Sequence, residues 1–64
     1  MAKTAFEVLI DQMDDKVQQL QEYIGTGKAE TFEEYKRTCG EIRGLLIARE
    51  YVLDQKQKVE KFND

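Results

Sequence analysis

Few side chains in this 64-residue chain could carry out chemistry, and their spacing argues against catalysis. Cys39 is the single cysteine and histidine is absent, so the usual base that activates a thiol nucleophile is missing. Two adjacent carboxylate pairs, Asp14 with Asp15 and Glu33 with Glu34, are the other candidates. Neighbours on a helix point about 100° apart, so neither pair converges on one ligand. We predict that the chain is not an enzyme and holds no cofactor or metal.

The segment Gly25-Thr26-Gly27-Lys28 has the composition of a phosphate-binding loop but lacks its context. Such a loop needs a preceding strand and a further glycine upstream. Glycine also ends helices, because it adopts the left-handed conformation without steric cost. We therefore interpret the segment as a turn between two helices.

Composition bounds the class of protein. Hydrophobic residues make up 41% and charged residues 36%, with no proline, which is typical of a folded helical chain. A net charge of −3 and a pI near 4.9 oppose binding to a phosphate backbone. No apolar run is long enough for a membrane span or a signal peptide. The chain begins at Met1, as a complete short product would, and we expect it in a virion or in the host cytoplasm.

The first predicted helix runs from about residue 4 to about residue 24. Its apolar residues recur every three or four positions and form one stripe: Phe6, Ile10, Met13, Val17, Leu20 and Ile24. Thr4 is the expected N-cap, with Glu7 at the third helical position.

The second predicted helix follows a turn at residues 25–30 and runs from about residue 31 to about residue 61. Thr31 and Glu34 form a capping box at its start. One apolar stripe, within about 80° of Ile42, is expected to pack on helix 1. Its members are Phe32, Tyr35, Cys39, Ile42, Leu45, Leu46 and Leu53. In an antiparallel hairpin we expect Phe6 near residues 49–53, with the last ten residues of the chain projecting beyond helix 1.

A second seam lies on the opposite side of helix 2. It consists of Gly40, Gly44, Ile47, Ala48 and Tyr51, between about 140° and 240° from Ile42. Each glycine costs about 1 kcal/mol relative to alanine inside a helix, so two on one face require an explanation. Either a partner helix approaches closely there, or helix 1 itself lies against the glycines. We favour the partner and predict these five residues as an interface, with Tyr51 as its anchor.

The segment from Tyr35 to Ala48 reads YKRTCGEIRGLLIA. It resembles the YxxxxGxIxGLxxA segment of short helical proteins encoded by tailed bacteriophages, often in their structural gene regions. This resemblance covers helix 2 only and implies a phage origin and an accessory role in the virion. By position, Gly40, Ile42, Gly44, Leu45 and Ala48 would then be packing residues. The chain is also similar in size and architecture to the plasmid copy-number hairpin that forms a four-helix-bundle dimer and binds RNA, from which its acidic balance departs.

Together these features predict a single all-α domain over residues 1–64, an antiparallel two-helix hairpin completed by oligomerisation or by docking onto a larger protein. The expected function is that of a small structural or adaptor subunit, a bacteriophage virion accessory protein that associates through helix 2. Its partner is a second copy or a larger virion protein. The alternative is a soluble regulator, either an RNA-binding four-helix-bundle dimer or an acidic inhibitor of a host protein.

Overall fold

The computed structural model describes the backbone of residues 3–63 and the side chains of residues 3–61. It contains two helices, α1 (Ala5–Gly25) and α2 (Phe32–Asn63), which pack against each other as an antiparallel hairpin. The predicted all-α hairpin is thus confirmed, and the predicted helix boundaries differ by one or two residues at each end. Residues 1, 2 and 64 of the predicted domain lie outside the described part.

Both predicted helix caps are present. The Thr4 hydroxyl accepts a hydrogen bond from the backbone N–H of Glu7 at 3.2 Å, and the Thr31 hydroxyl accepts one from Glu34 N–H at 3.0 Å. The Glu34 carboxylate accepts from the backbone N–H of Glu30 at 3.1 Å and from the Tyr23 hydroxyl at 3.4 Å. Glu34 therefore fixes the start of α2 and also ties it to the end of α1.

The turn that follows α1 is a Schellman motif. The N–H of Lys28 donates to the carbonyl of Tyr23 and the N–H of Gly27 donates to that of Ile24, both at 3.1 Å. Gly27 has φ 73, the left-handed conformation that this motif requires. The Thr26 hydroxyl donates to the carbonyl of Glu22 at 2.8 Å. The predicted turn is confirmed, and the left-handed residue in it is the second glycine.

The interface between the helices is thin. Ile10 and Val17 of α1 are 8% and 7% exposed, and the other members of the predicted α1 stripe are half-buried. No described side chain is completely enclosed. The molecule measures 50 × 22 × 12 Å, so it is about one helix diameter thick. A single layer of two helices leaves both of its broad faces in contact with solvent.

The predicted inner stripe of α2 is partly wrong. Phe32, Tyr35 and Leu46 were expected against α1, yet their exposed fractions are 74%, 45% and 46%. Thr38, which the apolar pattern omits, is buried at 6%. Its hydroxyl donates to the carbonyl of Glu34 at 2.8 Å, so its polar group is satisfied and its methyl group can pack. α2 is therefore rotated toward Thr38 relative to the prediction.

The register of the hairpin also differs from the prediction. The guanidinium of Arg49 pairs with the carboxylate of Asp14, with Nε to Oδ1 at 2.6 Å and Nη2 to Oδ2 at 3.4 Å. Phe6 lies eight residues before Asp14, about 12 Å farther along α1. Phe6 is therefore well beyond Arg49, and α1 runs beside more of α2 than expected. Accordingly, Lys56, one of the last ten residues, is half-buried rather than projecting freely.

Candidate interaction surface

Four of the five predicted interface residues lie exposed on the side of α2 that faces away from α1. Ile47 and Tyr51 are 48% and 70% exposed, and Gly40 and Gly44 are exposed as well. Ala48 is half-buried and forms the edge of the seam. We call Gly40, Gly44, Ile47, Ala48 and Tyr51 the outer face of α2. Its two large side chains remain in water, which is costly for groups of this size.

The two glycines of the outer face are not explained by packing within the chain. A Cβ atom added to Gly40 or Gly44 would meet no atom beyond its own stretch of helix within 4 Å. Helix α1 therefore does not lie against them, and the intramolecular alternative from the sequence is not supported. Alanine would fit at both positions and would favour the helix by about 1 kcal/mol each.

A second group of exposed apolar side chains lies on α2 apart from the outer face, within about 80° of Ile42. These are the residues that the sequence assigned to the core, Phe32, Tyr35 and Leu46. The rings of Phe32 and Tyr35 stack with their centroids 6.4 Å apart. The signal for their exposure was available in Thr38 and Arg49, which share the helical face of Ile42 and have polar partners there. A prediction from the apolar residues alone did not detect that Phe32, Tyr35 and Leu46 are exposed.

Charged side chains of both signs border the outer face. Arg43, Glu50 and Asp54 lie within about 40° of one another around α2. The carboxylate of Asp54 pairs with Lys58 one turn away at 3.0 Å. Among the described residues, neither Arg43 nor Glu50 has an ion-pair partner. An open depression beside Tyr51 is lined by Glu50, Tyr51, Leu53, Asp54 and Gln57.

The remaining chemical groups form no reactive constellation. The Cys39 thiol is free and half-buried on α2. Within residues 3–61, no group of three or more Cys, Asp or Glu side chains could hold a metal ion. Partial burial raises the pKa of the Tyr23 hydroxyl above its ordinary value, and the negative charge of Glu34 raises it further. The hydrogen bond and charge of Asp14 raise the pKa of Arg49, so this guanidinium stays charged.

Neither α1 nor α2, over its described length, is apolar enough to cross a membrane. Comparison with family models, curated proteins and solved structures found no match to this chain. The candidate surface therefore rests on its own geometry: an outward apolar seam, two open glycines and a border of mixed charge.

Proposed function

We propose that this chain is a small structural or adaptor subunit without enzymatic activity, which associates with other protein through α2. The observation that carries the proposal is the open glycine pair beside Ile47 and Tyr51. Glycines inside a helix are useful where another backbone must come close, and here no part of the described chain does so. The two large side chains would be covered by the same partner.

The thickness of the molecule supports the same proposal. Stable domains usually consist of at least two packed layers of secondary structure. This hairpin is a single layer of 12 Å, and among the side chains of residues 3–61 only two apolar ones are buried, Ile10 and Val17. A hairpin of 64 residues therefore buries little apolar surface by itself, and contact with another protein through α2 would bury more.

We further propose, from the resemblance of residues 35–48 to short phage-encoded helical proteins, that the assembly is a bacteriophage virion in which this chain is an accessory protein. The mixed charge beside the outer face suits a protein partner, since a nucleic-acid surface would be uniformly basic.

The second candidate is an acidic inhibitor that occupies a basic groove of a host protein. The observation that favours it is the charge of α1, which carries five carboxylates and one lysine. This candidate uses α1 as the binding surface, whereas the first uses α2. Substitutions on the two helices therefore distinguish them.

The test is the variant Gly44→Leu, with Gly25→Leu as its control. Both glycines are helical and open, but only Gly44 belongs to the outer face. Leucine favours the helix, so both variants should retain helical circular dichroism. Sedimentation velocity should show loss of association for Gly44→Leu alone, because leucine would clash with a close partner.

The same pair of variants tests the virion role. Mass spectrometry of purified particles from the phage that encodes the chain should detect the parent and Gly25→Leu in constant ratio to the major capsid protein. Gly44→Leu should be depleted at least tenfold. Absence of the parent chain from the particles would contradict a virion role, and equal incorporation of all three would contradict association through the outer face.

A further inference from the structure

The outer face of α2 is asymmetric along the helix. Its small residues, Gly40 and Gly44, precede its large exposed residues, Ile47 and Tyr51. The glycines leave a hollow at one end of this face, and the large side chains project at the other end. Two copies of the face therefore fit together only when the helices run in opposite directions. A parallel copy would place Tyr51 on Tyr51 and leave the glycine hollow empty.

The position of the two-fold axis follows from the sequence spacing. An axis between residues 47 and 48 places Tyr51 of one copy over Gly44 of the other. The same axis places Ile47 against Ala48, again a large residue against a small one. Interfaces of this isologous kind require a self-complementary patch, which the outer face provides.

Charge complementarity favours the same orientation. Arg43 lies on the border of the outer face, and the antiparallel axis brings it level with Val52 of the second copy, between Glu50 and Asp54. Within residues 3–61, Arg43 and Glu50 have no ion-pair partner of their own. In a parallel two-fold pair the Arg43 and Glu50 borders of the two copies would lie on opposite sides of the seam, so these charges could not pair.

The chain exposes more surface than a compact protein of its mass, as expected of a subunit that buries part of its surface against a partner. A compact protein of 7.5 kDa exposes about 4,200 Å², whereas this chain exposes 5373 Å². The difference of about 1,100 Å² exceeds the roughly 800 Å² that each partner buries in a standard protein interface.

We propose that a second copy of this chain is the occupant of the outer face, bound antiparallel about a two-fold axis between residues 47 and 48. The inference rests on the proposed association through α2 and names its partner. The product is a four-helix assembly in which the two α2 helices form the central contact and the two α1 helices lie outside.

Cysteine cross-linking in a Cys39→Ser background tests the orientation. Gly40 of one copy lies level with Gln55 of the other, whereas two copies of Gly40 are about 22 Å apart. A disulfide requires Cα atoms within about 7 Å. We expect a mixture of Gly40→Cys and Gln55→Cys chains to form the mixed disulfide at least tenfold more than either chain links to itself. Gly25→Cys mixed with Gln55→Cys is the control for random collision.

A charge exchange provides an independent test. Arg43→Glu and Glu50→Arg should each weaken dimerisation about tenfold, and the double variant should recover most of the loss. Failure of the double variant to recover would contradict the pairing of these two residues across the axis.

Two results would overturn the proposal. Self-linked Gly40→Cys as abundant as the mixed species would exclude the antiparallel arrangement. A monomer mass at every concentration with no mixed disulfide would exclude a second copy as the occupant. In that case, depletion of Gly44→Leu from particles would still support the proposed function with a different partner, so the two failures are distinguishable.

Discussion

The inner and outer faces of α2 differ in how their polar and small residues are used. On the inner face, the hydroxyl of Thr38 is bonded to the carbonyl of Glu34, and Arg49 is paired with Asp14 of α1. On the outer face, a Cβ added to Gly40 or Gly44 would meet no atom outside its own stretch of helix within 4 Å. On the inner face, the polar groups of Thr38 and Arg49 have partners within the chain. The glycines of the outer face weaken the helix, and no packing within the chain explains them.

The two helices show the same contrast. The regular stripe of α1 lies entirely against α2, with every member buried or half-buried. The apolar residues of α2 surround much of its circumference, and six of those described are more than two-fifths exposed. Those residues are Phe32, Tyr35, Leu46, Ile47, Tyr51 and Val59. One neighbouring helix is enough to bury a single apolar face. Because α2 has apolar residues on more than one face, a second neighbour is needed to bury them.

The largest difference in stability is expected between an isoleucine-to-alanine substitution in the hairpin interior and the same substitution on the outer face. Ile10→Ala removes a buried side chain and should lower the free energy of unfolding by about 2–3 kcal/mol, enough to unfold most of a hairpin this small. Ile47→Ala removes a half-exposed side chain, so the hairpin should keep its helicity and lose association. Urea unfolding by circular dichroism and sedimentation mass check the pair. Equal loss of helix in both variants would show that the two faces do not have separate roles.

Much of the fold could be predicted from the sequence because its signals are local. Thr4, Thr31 and Gly27 act within one turn of chain, and each has the predicted cap or turn role. The rotation of α2 could not be predicted from apolar residues alone, since Thr38 and Arg49 face α1 with partners that only the fold supplies.

The candidate surface was predictable to a smaller extent. The outward position of Gly40, Gly44, Ile47 and Tyr51 agrees with their helical spacing. The exposure of Phe32 was missed, because a helical wheel does not show where a short neighbouring helix ends. The identity of the partner depends on the surface of the partner itself. The sequence of this chain specifies that surface only if the partner is a second copy of the chain.

A smaller difference is expected between the two glycines of the turn. Gly27 has φ 73, so Gly27→Ala should lower the free energy of unfolding by about 1 kcal/mol. Gly25 is helical and open, so Gly25→Ala should be neutral or stabilise by up to about 1 kcal/mol. Parallel thermal melts compare them. Similar destabilisation by both would contradict the assignment of the left-handed position to Gly27 alone.

The smallest effect concerns the contact of Tyr23 with Glu34. The pKa of Tyr23 is raised in the folded chain, mainly by partial burial, so folding favours the neutral phenol. This contribution is complete below the ordinary pKa of 10.0 and is lost as the pH rises through the raised value. The melting temperature should therefore fall more steeply above about pH 10 for the parent than for Tyr23→Phe. Parallel curves for the two proteins would contradict the contact.

The central claim is that the outer face of α2 binds a second copy, and its most direct test is the dependence of stability on concentration. Thermal melts should be followed by circular dichroism over about a hundredfold dilution, with sedimentation mass measured at each concentration. We predict a midpoint that falls on dilution and a mass that changes from dimer to monomer. A midpoint that does not change with concentration, with monomer mass throughout, would contradict the claim.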